Sequence, residues 1–202
     1  FNLGKFTNNT DLGTIDFKGS IEGSSFDIEK LKTSISGDIR AIEYKNYNYK
    51  SIVTNGTFQK KYFSGDIIIN DPNLNFTSSV EINFNQNIPA FNIVGDLAYS
   101  NLKALKLYPK FIEITGLLDA NFTGSNLDNF LGNAKFLNAN INDSTTKLTF
   151  DSLALQASMI GKEKLITLKS NDFNASINGQ FNVADLPKSI QSFLHHYYPN
   201  YI

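Results

Sequence analysis

The chain has 202 residues, of which 41% are hydrophobic and 18% charged, so it is long enough to bury a core and too apolar for a disordered acidic tail. Its net charge of -1 and its single arginine, Arg40, argue against nucleic-acid binding, which needs a basic surface. It contains no cysteine, which excludes disulfides and thiolate chemistry, and no apolar run approaches the ~18 residues of a transmembrane helix.

Alternation of apolar and polar residues predicts consecutive strands in the first half of the chain. Asn55-Gly56 has the composition of a hairpin turn, and Asn70-Asp71-Pro72-Asn73 favours a second turn over a calcium loop because it offers a single acid. The apolar positions of these runs are Ile15, Phe17 and Ile21; Tyr44, Tyr47, Tyr49, Ile52 and Phe58; Ile67 and Ile69; Leu74, Phe76, Val80, Ile82 and Phe84; and Phe91 and Ile93.

The second half repeats this pattern. Its clearest run, "DFNASINGQFNVAD", alternates from Phe173 through Gly179 to Val183, with polar residues at nearly every position between. The apolar positions are Leu148, Phe150, Leu153 and Leu155, then Phe173, Ala175, Ile177, Phe181 and Val183. Short consecutive strands joined by turn residues predict an all-β, mainly antiparallel meander.

Similar stretches recur about 100 residues apart, as "YKSIVTNGTF" and "FDSLALQASM" illustrate. This spacing predicts two copies of one β module, residues 1–104 and 105–202, that form one continuous elongated structure.

Helical patterns are few. Short segments within 24–35, 100–110 and 125–134 are candidates for a turn or two of helix, the first two equally for strand. The strongest pattern is "ADLPKSIQSFLHHYYPNY", in which Asp185 can cap, Pro187 suits the first turn and Pro199 ends the helix. One face of this helix is apolar, formed by Leu186, Ile190, Phe193, Leu194 and Tyr197. This suggests that the helix packs on the sheet and caps one end of the groove that the sheet would form.

We identify no catalytic residues, metal ligands or cofactor motif. His195 and His196 are neighbours on the predicted helix and point about 100° apart, so a solvated helix edge is favoured over a metal site. The acids Asp16, Glu22 and Glu81 are scattered on polar faces, as are Asp27 and Glu29. An enzyme is therefore not expected. The recurring apolar stripe fits either the core of a sandwich or an apolar trough, and the pattern is the same for both.

Several stretches, in order over most of the chain, resemble the TamB-type, AsmA-like proteins of bacterial envelopes, particularly those of Bacteroidetes. They are "FNLGKFTNNTDLGTIDFKGSIEG", "YKNYNYKSIVTNGTF" followed by "FSGDIIINDPNLNFTSSVEINFN", and "INGQFNVADLPKSIQSFLHHYYPNY". The resemblance implies a β-sheet curled lengthwise into a taco-like apolar groove, in a protein anchored in the inner membrane and spanning the periplasm. It also implies phospholipid transport toward the outer membrane and a TamA-like outer-membrane barrel partner. Because the chain starts at Phe1 and has one internal methionine, Met159, we expect it to be an internal segment whose anchor lies elsewhere.

The leading hypothesis is therefore a segment that shields phospholipid acyl chains in a hydrophobic β-groove. The alternatives are an assembly module that adds strands to outer-membrane proteins, and a secreted β-sandwich that binds glycans through Tyr44, Tyr47 and Tyr49 on an outer face. The residues predicted to line the groove are Ile15, Phe17, Ile52, Phe58, Ile67, Ile69, Leu74, Phe76, Val80, Ile82, Phe84, Leu153, Leu155, Phe173, Ile177, Phe181 and Val183.

Overall fold

The protein is an open, eleven-stranded antiparallel sheet in which every strand pairs with its neighbours in sequence. A computed structural model describes residues 2, 5, 10–23, 32–125 and 128–197, with the side chains of Ala184 and Pro187 excepted. The strands are β1 (Leu12–Gly23), β2 (Lys32–Tyr44), β3 (Tyr47–Gln59), β4 (Tyr62–Asp71), β5 (Leu74–Asn83), β6 (Ala90–Ser100), β7 (Glu113–Thr123), β8 (Leu131–Asn142), β9 (Lys147–Ile160), β10 (Glu163–Ser170) and β11 (Asn174–Gly179). The predicted all-β antiparallel meander is confirmed.

Two of the hairpin turns are formed by residues in the left-handed backbone conformation. Lys45 and Asn46 connect β2 to β3 with φ of 49° and 61°, and Lys60 and Lys61 connect β3 to β4 with φ of 49° and 58°. Positive φ at both central residues is the geometry whose twist matches that of the flanking strands.

The prediction of a hairpin turn at Asn55-Gly56 is wrong, because both residues lie inside β3. Gly56 pairs with Gly65 of β4, and the ring of Phe63 comes so close that a Cβ on Gly56 would lie 2.8 Å from it. The glycine is needed there for the close approach of an aromatic ring across the sheet, not for a turn.

The predicted turn at Asn70–Asn73 is confirmed, with Pro72 and Asn73 between the paired residues Asp71 and Leu74. The buried carboxylate of Asp71 accepts hydrogen bonds from the backbone N–H of Asn73 at 2.8 Å and of Lys50 at 2.9 Å, and from the hydroxyl of Tyr47. Asp71 therefore organises its own turn and also ties β3 to it.

The segment between β6 and β7 forms neither a regular helix nor a strand. One helix-like bond runs from the N–H of Leu105 to the carbonyl of Asn101, at 3.0 Å. Leu105 is only 1% exposed and forms the buried core cluster with Tyr49 and Ile52 of β3. The segment thus folds back over one end of the sheet.

Three local predictions need correction or fall outside the described residues. The helical turns expected within 125–134 are not formed at 131–134, which begin β8. The alternation from Phe173 to Val183 makes a strand only over Asn174–Gly179, since the chain then enters a 3₁₀ turn at Val183–Asp185. The segment expected around Phe26, Ile28 and Leu31, with Asp27 and Glu29, lies outside the described residues.

The predicted C-terminal helix, α1, spans Leu186–Tyr197. Among the described residues it contacts only the 3₁₀ turn that precedes it, so it does not cover an end of the sheet as expected. Ile190, Phe193, Leu194 and Tyr197 are exposed on it. His195 and His196 are also exposed on this helix.

Candidate functional site

Strand register places most of the apolar side chains of the eleven strands on one side of the sheet, which we call the apolar face. On β1 to β5 it carries Ile15, Phe17, Ile21, Ile35, Ile39, Ile42, Tyr44, Tyr47, Tyr49, Ile52, Phe58, Phe63, Ile67, Ile69, Leu74, Phe76, Val80 and Ile82. On β6 to β11 it carries Phe91, Ile93, Leu97, Ile114, Leu118, Phe122, Phe136, Ile141, Leu148, Phe150, Leu153, Leu155, Ile166, Leu168 and Ile177. Because paired residues point to the same side, this face is continuous across the sheet.

Every predicted lining residue that lies in a strand is on the apolar face. These are Ile15, Phe17, Ile52, Phe58, Ile67, Ile69, Leu74, Phe76, Val80, Ile82, Leu153, Leu155 and Ile177. Of the others, Phe173 precedes β11 and its ring meets that of Phe150 edge-on at 6.0 Å. Phe84 lies just after β5 and is exposed, whereas Phe181 and Val183 lie beyond the end of β11.

The sequence reasoning missed the apolar-face residues of β2, β7, β8 and β10. The parity of the pattern switches within two hairpins, so that the apolar positions are three residues apart instead of two. Tyr49 and Ile52 show this in β3, and Phe150 and Leu153 show it in β9. A left-handed residue accompanies each switch, Ser51 with φ of 54° in β3 and Asn138 with φ of 52° in β8. Regular alternation cannot detect such a residue.

The apolar face has little cover from other elements. Within the described ranges each strand contacts only its sequence neighbours. The turn around Leu105 packs on Tyr49 and Ile52 of β3, at one end of the face. Side chains in mid-sheet are nonetheless well shielded: Val80 is 6% exposed, between Gly65 and Ile93 on the flanking strands. Neighbouring side chains of this face therefore shelter one another.

Aromatic rings line up along the opposite end of the face. Phe91 stacks on Phe122 at 4.9 Å between ring centroids, and Phe122 meets Phe130 at the same distance. Neighbouring rings of this kind add contact energy beyond their buried area. They form a continuous aromatic edge along β6 to β8.

The other side of the sheet is mainly polar, although Val53, Val94, Leu117 and Leu137 are exposed there. Asn92, Asn121 and Asn133 form a row across β6, β7 and β8, and Asn92 donates to the carboxylate of Glu81 at 3.2 Å. Arg40 faces Asp16 at 3.7 Å on the same side. The contrast between the two sides shows that one face of the sheet is suited to water and the other to apolar material.

The tyrosines needed for an outer glycan surface are on the apolar face. Tyr49 is buried, and its ring lies edge-on to that of Tyr47 at 4.7 Å. Burial raises the pKa of Tyr49 to about 12, and burial together with the bond to Asp71 raises the pKa of Tyr47. The glycan-binding alternative therefore loses the feature it required.

Besides the tyrosines, one acidic and one basic residue interrupt the apolar face of the described strands, one at each end. Asp71 is satisfied by the turn described above. Lys164 of β10 pairs with Met159 and Gly179, and it donates from Nζ to the carbonyl of Asp128 at 2.8 Å. Burial lowers the pKa of Lys164, while the Asp128 carboxylate opposes that shift.

Within the described ranges, no cluster of His, Cys, Asp and Glu side chains has the arrangement of a metal site. The helix that the structure describes is too short and too polar to cross a bilayer.

Comparison of the chain with family models, with curated proteins and with solved structures gives no match. The resemblance to the TamB-type family consequently stays a prediction.

Proposed function

We propose that this chain shields phospholipid acyl chains on the apolar face of its sheet. The observation that carries the proposal is the continuity of that face over eleven strands, with polar residues on the reverse side and no second layer over its middle in the described part of the chain. A large apolar surface that would otherwise be exposed to water normally binds another apolar surface. Acyl chains fit because the face is long and mainly apolar, and because the hydroxyls of Thr54 and Ser78 within it already donate to backbone carbonyls of the sheet.

The dimensions support such an occupant. Eleven strands spaced by about 4.8 Å give a face of about 48 Å along the sheet. The hydrocarbon core of a whole bilayer is about 30 Å thick, so one acyl chain needs about half of that. Each methylene that leaves water contributes about 0.8 kcal/mol, which means that many weak contacts suffice without an essential residue.

The setting follows the family resemblance: an inner-membrane-anchored protein of the periplasm that passes phospholipid toward the outer membrane. No cofactor, metal or catalytic group takes part in this function. The groove role of each predicted residue is part of this proposal.

The test uses two neighbouring residues of β6 that face opposite sides. Ile93 lies on the apolar face, whereas Val94 is exposed on the polar side. The purified wild-type chain should yield phospholipid on organic extraction and show lipid-bound mass in native mass spectrometry. Ile93→Asp should lower the bound lipid at least fivefold, because a carboxylate among acyl chains is costly. Val94→Asp should leave it unchanged.

Circular dichroism should first show that both variants keep the sheet. A lipid-free wild-type chain, or equal loss in the two variants, would refute the proposal.

A second candidate function is strand addition during assembly of outer-membrane proteins with a TamA-like barrel. The observation in its favour is that β1 and β11 each pair with one strand only in the described chain, apart from a bridge between Asn2 and Thr14. Unpaired edges accept an added strand. The test places a photo-crosslinking residue at Lys18 in the edge strand β1. Crosslinks from this position to a strand of the barrel, with no lipid recovered, would favour this function over lipid shielding.

A further inference from the structure

Lys164 is the one cation on the apolar face of the described strands, and its position is unusual. Its side chain is 6% exposed, beside Met159 on β9 and Gly179 on β11. Lysine is rarely buried to this extent, because an ammonium group loses its hydration there. A methionine or leucine would fill the same place without that cost.

The surroundings of Lys164 hold it at the edge of a cavity. Its Nζ donates to the carbonyl of Asp128, whose carboxylate Oδ1 in turn accepts the N–H of Val183 at 2.6 Å. Asp128 therefore braces the β7–β8 connection against both β10 and the chain leading to α1. The ammonium is fixed in place rather than free to swing into solvent.

The cavity has a volume of about 540 Å³ and two kinds of wall. Met159 and Phe181 make it apolar, and Lys162, Lys164 and the side-chain amide of Gln180 make it cationic and donor-rich. The amide of Asn182 also lies in the wall and donates to the carboxylate of Asp185 at 3.1 Å. Gly179 keeps the space beside Lys164 open, since a Cβ there would find only the Phe181 ring, at 3.9 Å. Two lysines face one carboxylate, so the formal charge of the walls is positive.

We infer that this cavity binds the phosphate of a phospholipid headgroup whose acyl chains lie on the adjoining apolar face. The inference rests on the proposed function and adds a headgroup subsite at one end of the groove. Apolar walls continue the face, while two ammonium groups and the Gln180 amide supply donors for a phosphodiester. Exposed Lys162 meets the lipid as it enters, and buried Lys164 holds the phosphate at the end of the apolar face.

The experiment compares two lipids with identical acyl chains, one with a phosphate and one without. Phosphatidylglycerol and diacylglycerol are offered together to the full chain in mixed micelles, and bound lipid is quantified by mass spectrometry. Wild-type protein should prefer phosphatidylglycerol by roughly tenfold, the ratio expected from one charge-assisted contact. Lys164→Met and Lys162→Gln should remove most of that preference and still bind diacylglycerol, and Lys164→Arg should keep it.

Lys169→Gln is the matched control, because Lys169 is exposed on the polar side of the same strand. If Lys164→Met does not fold, Lys162→Gln and Lys164→Arg decide the matter. Equal binding of the two lipids by wild-type protein, or a preference unchanged in Lys162→Gln and Lys164→Met, would overturn the headgroup site while leaving acyl-chain shielding intact. Binding of neither lipid would refute both.

Inorganic phosphate distinguishes a headgroup from a free anion. Phosphate alone at millimolar concentration should not displace bound phosphatidylglycerol if the acyl chains contribute. Displacement together with loss of lipid preference would show a simple anion site and would contradict the inference.

Discussion

Truncation of Leu105 tests whether the turn between β6 and β7 is part of the core. Leu105 is 1% exposed and packs against Tyr49 and Ile52, although it lies in a segment without regular secondary structure. Leu105→Ala removes a buried isobutyl group and leaves a cavity, a change that costs about 3 kcal/mol at fully buried sites. The rest of the cluster belongs to strands and cannot collapse readily onto the space.

Urea denaturation of the whole chain measures this cost. With a slope of about 2 kcal/mol per molar urea, a loss of about 3 kcal/mol lowers the transition midpoint by about 1.5 M. The matched control is Leu107→Ala in the same turn, whose side chain is 47% exposed. We expect it to change the stability by no more than about 0.5 kcal/mol.

Equal shifts for the two variants, or a shift below about 0.5 M for Leu105→Ala, would refute the reasoning. Either result would mean that the turn does not rest on β3 in solution, and that the apolar face is uncovered at both ends.

Three further predictions concern the sheet, its tyrosines and the helix. Gly65→Ala should destabilise the protein by at least about 2 kcal/mol in urea denaturation, because the added methyl group would clash with the backbone carbonyl oxygen of Asn55 in β3; Ser64→Ala is its control. Tyr49→Phe should raise the midpoint of alkaline unfolding. The pKa of Tyr49 is raised from 10.0 to about 12 in the folded chain, so stability present below pH 10 is lost as the pH rises toward 12. Phe193→Gln should leave the stability within about 0.5 kcal/mol of wild type, because Phe193 is 61% exposed.

Each of these has an outcome that would contradict it. A neutral Gly65→Ala would show that β3 and β4 separate easily at this point. Identical alkaline unfolding of wild type and Tyr49→Phe, followed by absorbance of tyrosinate, would place the Tyr49 ring in water. A clear destabilisation by Phe193→Gln would show that α1 docks on the sheet.

Local pattern was enough to predict the class of fold and one face of most strands. Alternation of the kind seen from Leu74 to Ile82 reports directly which side chains share a face, because the side-chain period of a strand is two. The turn at Asp71 and the helix after Asp185 were also predictable, since their signals lie within a few residues.

Other features depend on residues far apart in sequence. Asn55-Gly56 has turn composition, yet it lies within a strand because Gly65 and the Phe63 ring on the neighbouring strand require a glycine opposite them. The parity switch at Ser51 follows from a backbone conformation that alternation does not encode.

The sequence by itself determined which kinds of side chain form the apolar face, because composition and period decide which side chains a strand presents to each side. Only the tertiary structure decided how those strands join into one open surface, that Leu105 folds back over one end, and that Lys164 is buried at the other. Each of these depends on register and on the return path of a connection, and both are fixed by contacts between distant segments rather than by neighbours along the chain.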